Sequence, residues 1–74
     1  MNLRKLIVQA LRTKWRAACK VVESNPYFSV DNAAATIDAI NNGTHIFYPA
    51  LAEAIKIELT AQEEYVNATS QGRS

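Results

Sequence analysis

The chain has 74 residues, is 49% hydrophobic, and carries eight basic and seven acidic residues, for a net charge of +1. That length allows one domain, and the apolar content excludes a disordered chain. The single cysteine, Cys19, excludes an internal disulfide and favours a reducing compartment, so we expect a cytoplasmic protein. No run of about 18 apolar residues occurs, so we expect no membrane-spanning segment.

The charge is strongly polarised along the chain. Six of the eight basic residues fall within the first 20 positions, whereas all seven acidic residues lie between Glu23 and Glu64. The six basic residues are Arg4, Lys5, Arg12, Lys14, Arg16 and Lys20. A molecule divided in this way is expected to bind a charged partner, either nucleic acid or an acidic protein.

Residues 3–24 have the periodicity of one long amphipathic helix, which Ser24-Asn25-Pro26 ends. Its apolar arc covers more than half of the circumference, which is wider than one neighbouring helix can cover. We therefore predict a homodimer with this helix near the two-fold axis. The other side carries a stripe of polar and basic side chains, here called the basic stripe: Lys5, Gln9, Arg12, Arg16 and Lys20.

Two further helices are predicted. A short middle helix begins after Ser29 or Asp31 as its N-cap and ends at Gly43, because glycine can adopt the left-handed conformation that closes a helix. A long last helix begins at Pro49, which suits the first helical turn, and continues to about Val66.

The expected fold is therefore all-α: a small three-helix domain of residues 1–67 in long-short-long order, with a flexible tail of residues 68–74. The two connectors contain four aromatic residues, which we expect to close the ends of the core rather than to form an interface: Tyr27, Phe28, Phe47 and Tyr48. Cys19 is expected to be a small buried apolar residue, although Arg16 and Lys20 could lower its pKa.

Groups suited to catalysis or metal binding are few. His45 is the only histidine, and the two glycines, Gly43 and Gly72, cannot form a phosphate-binding loop. Glu63 and Glu64 are adjacent, so on a helix they point about 100° apart and cannot act as an acid–base pair. We expect a protein that is not an enzyme and that holds no metal or cofactor.

The second half of the chain carries a short motif. Thr36 to Gly43 has the pattern T-I-x-x-I-x-N-G, and Pro49 to Leu59 has the pattern P-A-L-A-x-x-I-x-x-x-L. Residues 36–67 thereby resemble the second half of a Cro/lambda-repressor-type helix-turn-helix domain. The resemblance implies that the middle helix enters the major groove with Asn32 and Thr36 near base edges, while the basic stripe holds phosphates. A complete motif of this kind also requires a break in the first helix near Thr13.

Two functions stay open on the sequence. The protein is either a small DNA-binding transcription regulator or a protein-binding module or inhibitor, of the kind common in phages and other mobile elements, that docks a host protein. In the second case its charge steers association, and the candidate interface residues are Trp15, Tyr48 and Leu51. Steep salt dependence together with a requirement for Arg12 and Arg16 would indicate DNA.

Overall fold

The computed structural model describes residues 2–70, which form three α-helices and no strand. Helix α1 spans Leu3–Glu23, α2 spans Val30–Asn42, and α3 spans Pro49–Ser70. The predicted all-α fold in long-short-long order is confirmed. None of the three helices combines the length and the apolar run that a membrane span requires.

Local chemistry fixes where each helix begins and ends. Asn2 caps α1 by accepting a hydrogen bond from the backbone N–H of Lys5, and Ser29 caps α2 by accepting one from Asn32 at 3.0 Å. Gly43 closes α2 in the left-handed conformation, with φ of 69°. The predicted cap Ser29, the glycine stop and the start of the last helix at Pro49 are all confirmed.

Helix α3 is the element on which the other two pack. Helix α1 lies antiparallel to α3, because Arg4 reaches Ala68 near one end and Val22 packs with Ile55 near the other. Helix α2 packs on the first half of α3, and within residues 2–70 the backbones of α1 and α2 make no close approach to each other. Helix α1 is continuous, so the break near Thr13 that a complete helix-turn-helix needs does not occur.

Helix α3 extends to Ser70, beyond the predicted end near Val66 and into the segment expected to be a tail. The guanidinium of Arg4 donates a 2.7 Å hydrogen bond to the backbone carbonyl of Ala68, which satisfies an acceptor in the last turn. This long-range contact ties the last turn of α3 to the start of α1. The rest of the expected tail, residues 71–74, lies outside the described residues.

The core is small and lies where the three helices meet. Leu51 is fully buried and packs with Val22, Ala54 and Ile55. The molecule is elongated, measuring 46 × 24 × 16 Å, with a radius of gyration of 14.4 Å. A compact chain of this length has a radius of about 11 Å. Much of the apolar surface therefore stays uncovered in the single chain.

The connector aromatics do not all join the core. Tyr48 packs against it and stacks on Tyr27 at a ring-centroid distance of 4.9 Å. Phe47, by contrast, is 78% exposed, and its ring meets that of His45 edge-on at 4.9 Å. The expectation that all four aromatics close the core is wrong for Phe47 and for the exposed Tyr27 and Phe28. The connector contributes Tyr48 to the core and leaves Phe47 facing solvent.

Candidate functional site

The circumference of α1 divides into three sectors about 120° apart, at 3.6 residues per turn. One sector faces α3 and contains Ala18 and Val22, which are buried. The second holds the basic stripe. The third holds a row of apolar residues that α3 does not cover. Because the first sector fixes α1 on the rest of the protein, the other two are both presented to solvent.

All four basic side chains of the stripe are exposed, and so is Gln9. From Lys5 to Lys20 the stripe extends for about 22 Å, at 1.5 Å per residue. Its members follow one another at steps of three or four residues, so they stay on one side of the helix. The sequence-predicted residues of this stripe are thus brought together as one continuous basic surface.

No acidic side chain within residues 2–70 neutralises the basic stripe. The two ion pairs in this part of the chain are Lys14–Glu64 at 2.9 Å and Lys56–Glu53 at 3.6 Å. Neither contains a member of the stripe, so the stripe forms no ion pair with the acidic residues of α3. Lys14, which points away from the stripe, is instead held by α3.

Trp15, a predicted interface residue, is half-buried and joins α1 to α3. Its indole Nε1 donates a 2.8 Å hydrogen bond to Oε1 of Glu58, and its ring packs against Tyr65 at 5.5 Å. The sequence shows Glu58 as an acidic intrusion on the apolar side of α3. The structure explains this position of Glu58, because the partly buried N–H of Trp15 on the facing helix needs a hydrogen-bond acceptor.

Cys19 lies next to the same carboxylate, with its Sγ 4.0 Å from Oε1 of Glu58. Burial raises the pKa of the Cys19 thiol, and the negative charges of Glu58 and Glu23 raise it further. The suggestion that Arg16 and Lys20 lower this pKa is therefore wrong, because burial and the charges of Glu58 on α3 and Glu23 on α1 act in the opposite direction. This environment favours the neutral thiol and gives no activated nucleophile.

The other two predicted interface residues belong to the interior. Leu51 has no exposed surface, so it cannot touch a partner while the chain keeps this fold, and we reassign it to the core. Tyr48 is half-buried, with one side against the core and the other against Tyr27. Substitutions at either position would report mainly on folding.

The two side chains expected near base edges are occupied within the protein. Thr36 is only 5% exposed, and its hydroxyl donates a 2.7 Å hydrogen bond to the backbone carbonyl of Asn32. The side-chain amide of Asn32 donates to the carbonyl of Tyr27, also at 2.7 Å, and so ties the first connector to α2. The exposed first turn of α2 presents Asp31, whose charge would repel phosphate.

A groove of about 400 Å³ lies between α2 and the second connector. Asp38 and His45 are among its lining residues, and no hydrogen bond joins them within the described part of the chain. The groove thus offers neither a paired acid and base nor an oriented nucleophile.

Comparison of the chain with protein-family models, with curated proteins and with solved structures gave no match. The resemblance of residues 36–67 to helix-turn-helix proteins stays a prediction.

Proposed function

We propose that the protein is a non-enzymatic binding protein that docks an acidic protein partner on the basic stripe of α1. The observation that carries this proposal is the presence of four exposed cations on one side of one helix, with no acidic partner among residues 2–70. Such a surface speeds encounter with an acidic patch and fixes the orientation of the complex. In this role the chain would act as a regulator or inhibitor by occupying the partner's surface.

Three observations favour a protein over DNA as the partner. The sequence pI of 7.9 is below the value of about 9 that is typical of nucleic-acid-binding domains. Thr36 is buried, and the side-chain amide of Asn32 already donates to the carbonyl of Tyr27, so a base would have to compete with that bond. The continuous α1 also leaves α2 without the preceding short helix that positions a recognition helix.

The experiment is a fluorescence anisotropy titration with two labelled probes of matched charge, a poly-glutamate peptide and a random-sequence DNA duplex, at about 50 and 200 mM salt. The test variant is Arg12→Ala/Arg16→Ala. The control is Lys56→Ala/Arg73→Ala, which removes the same charge from residues outside α1. Circular dichroism confirms that each variant keeps its helices.

We expect poly-glutamate to bind the wild type, and we expect the arginine variant to bind about tenfold more weakly, since two exposed ion pairs are together worth about 1–2 kcal/mol. The control variant should lose much less. Tighter binding of the duplex than of poly-glutamate, dependent on the same arginines, would replace the proposal with a nucleic-acid function. If neither probe binds at low salt, the basic stripe is a solvated helix face without a binding function, and the proposal is wrong.

A further inference from the structure

The third sector of α1 is an apolar row that the rest of the chain leaves uncovered. Large side chains along it are well exposed: Leu3 at 69%, Ile7 at 49% and Val21 at 60%. Between them lie Ala10 and Ala17, which are also exposed. We call this row, together with Lys14, the α1 seam: Leu3, Ile7, Ala10, Lys14, Ala17 and Val21. It measures about 27 Å at 1.5 Å per residue.

The seam is spaced for packing against another helix. Its six residues are separated by alternating steps of four and three, which is the pattern that keeps side chains on one line when two helices pack side by side. The small residues Ala10 and Ala17 allow close approach of a second backbone. Lys14, the one charged member, is already neutralised by Glu64 at 2.9 Å, so it does not bring an uncompensated charge into the seam.

The edge of α3 extends this apolar surface. Ile57 is 58% exposed and lines a shallow hollow together with Lys14, Lys56 and Thr60. Because Lys14 belongs to the seam, the hollow places Ile57 directly beside it. A helix lying on the seam would therefore also contact α3.

A chain with so small a core gains stability when more of its apolar surface is buried. Within residues 2–70, Leu51 is the one large side chain that is fully buried, and the single cysteine cannot form an internal disulfide. Small domains with so little core commonly gain stability by association. A second copy is the occupant that meets this need, because it brings an identical seam of the same length and pattern.

We propose that a second copy of the chain covers the α1 seam and that the two α1 helices run antiparallel. In this register Leu3 lies opposite Val21 of the second copy, Ile7 opposite Ala17, and Ala10 opposite Lys14. At the Leu3–Val21 pairs two large side chains face each other. At the other positions a large or charged side chain faces an alanine. The two-fold axis crosses the seam midway between Ala10 and Lys14.

Charge selects the antiparallel orientation over the parallel one. In a parallel pair each seam residue faces its own equivalent, so the two Lys14–Glu64 ion pairs would come together inside the contact and would both lose water, which costs free energy. In the antiparallel pair Lys14 faces Ala10. On the flank of the seam, Lys20 lies beside Leu6 of the second copy rather than beside another cation. The antiparallel pair thus avoids direct contacts between like charges.

The antiparallel dimer also determines where the two basic stripes lie, and the significance of that placement rests on the proposed function. Its two-fold axis is perpendicular to the plane of the two α1 helices, so both basic stripes lie on the same side of the pair, and both α3 helices lie on the other. The docking surface is thereby doubled. The dimer itself is independent of what the basic stripe binds.

The test is sedimentation velocity of the full chain at about 100 μM, well above the micromolar Kd of a modest interface. The test variant is Ala17→Glu in the seam, and its matched control is Gln9→Glu, which makes the same charge change on the exposed stripe of the same helix. We expect wild type and Gln9→Glu to sediment at twice the 8.2 kDa mass of the chain, and Ala17→Glu at the mass of one chain. A monomeric wild type, or a dimer that Ala17→Glu leaves intact, would overturn the proposal.

Cysteine cross-linking tests the register even if a seam variant alters stability. In a Cys19→Ser background, the double variant Ile7→Cys/Ala17→Cys should form a dimer linked by intermolecular disulfides on mild oxidation. Ile7→Cys alone should not, because the two copies of position 7 are about 15 Å apart in the antiparallel pair. Efficient cross-linking of Ile7→Cys alone would show a parallel pair and contradict the proposed register.

Discussion

Trp15 of α1 and Glu58 of α3 are joined by a 2.8 Å hydrogen bond from the indole Nε1 to the carboxylate Oε1. The bond lies midway along the antiparallel α1–α3 pair and turns an acidic residue on the inner side of α3 into part of the helix interface. It also fixes α1 in rotation, and that rotation decides which side chains face solvent. The exposure of the basic stripe and of the α1 seam depends on it.

Removing this acceptor should destabilise the protein. Glu58→Ala leaves the partly buried indole N–H without a partner, and we expect a loss of about 1–3 kcal/mol in the free energy of unfolding. Glu58→Gln should cost less, because its amide oxygen can still accept the bond. Urea unfolding followed by the fluorescence of the single tryptophan measures both. Equal losses for the two variants would show that the hydrogen bond contributes little.

The reactivity of Cys19 should report on the same carboxylate. Its pKa is raised, first by burial and then by Glu58 and Glu23, so at pH about 8 it holds less thiolate than an unperturbed cysteine of pKa about 8.5. We expect alkylation by iodoacetamide to be slower than that of a free cysteine peptide. Glu58→Gln removes one negative charge, lowers the pKa towards its ordinary value and should accelerate the reaction. An unchanged rate in that variant would contradict the charge effect.

Leu51 and Phe47 should differ sharply when truncated, although both are large apolar residues near the second connector. Leu51 is fully buried, so Leu51→Ala should cost about 2–5 kcal/mol, which is a large part of the stability of a small domain. Phe47 is 78% exposed, and Phe47→Ala should change stability by less than about 0.5 kcal/mol. Thermal unfolding by circular dichroism compares them. A large loss for Phe47→Ala would place its ring in the core.

Gly43→Ala isolates the cost of backbone conformation. The φ of 69° lies in the left-handed region, and a Cβ added there meets no atom within 4 Å. The expected loss of about 1–2 kcal/mol therefore comes from the backbone and not from a clash. Gly43→Asn should lose less, since asparagine tolerates this conformation. Chemical unfolding distinguishes the two, and equal stability of Gly43→Ala and wild type would exclude a left-handed residue at this position.

The helices could be predicted because their determinants are local. Ser29 caps α2, Gly43 ends it and Pro49 opens α3, and each acts through its own backbone geometry or nearest hydrogen bonds. The width of the apolar arc of α1 likewise indicated that one neighbour would not cover it. The exposed Leu3 and Val21 agree with that expectation, while the homodimer drawn from it stays a prediction.

The remaining features depend on contacts between residues far apart in the sequence. Periodicity cannot tell which part of the apolar arc of α1 faces α3. The rotation of α1 about its own axis is set by the Trp15–Glu58 bond and the Lys14–Glu64 pair, whose partners are more than 40 positions apart in the sequence. The burial of Thr36 is set in the same way by the packing of α2 on α3. The helix-turn-helix motif places Thr36 on the surface near the bases, and the motif alone could not predict that this residue is buried.

The most direct measurement of the central claim is a ¹H–¹⁵N correlation spectrum of the wild-type chain during titration with poly-glutamate. If α1 carries the docking surface, backbone amide shifts should change chiefly from Lys5 to Lys20, and the same signals should move much less for Arg12→Ala/Arg16→Ala at equal probe concentration. Shifts concentrated in α2, residues 30–42, would contradict the account and return the middle helix to the role of binding element.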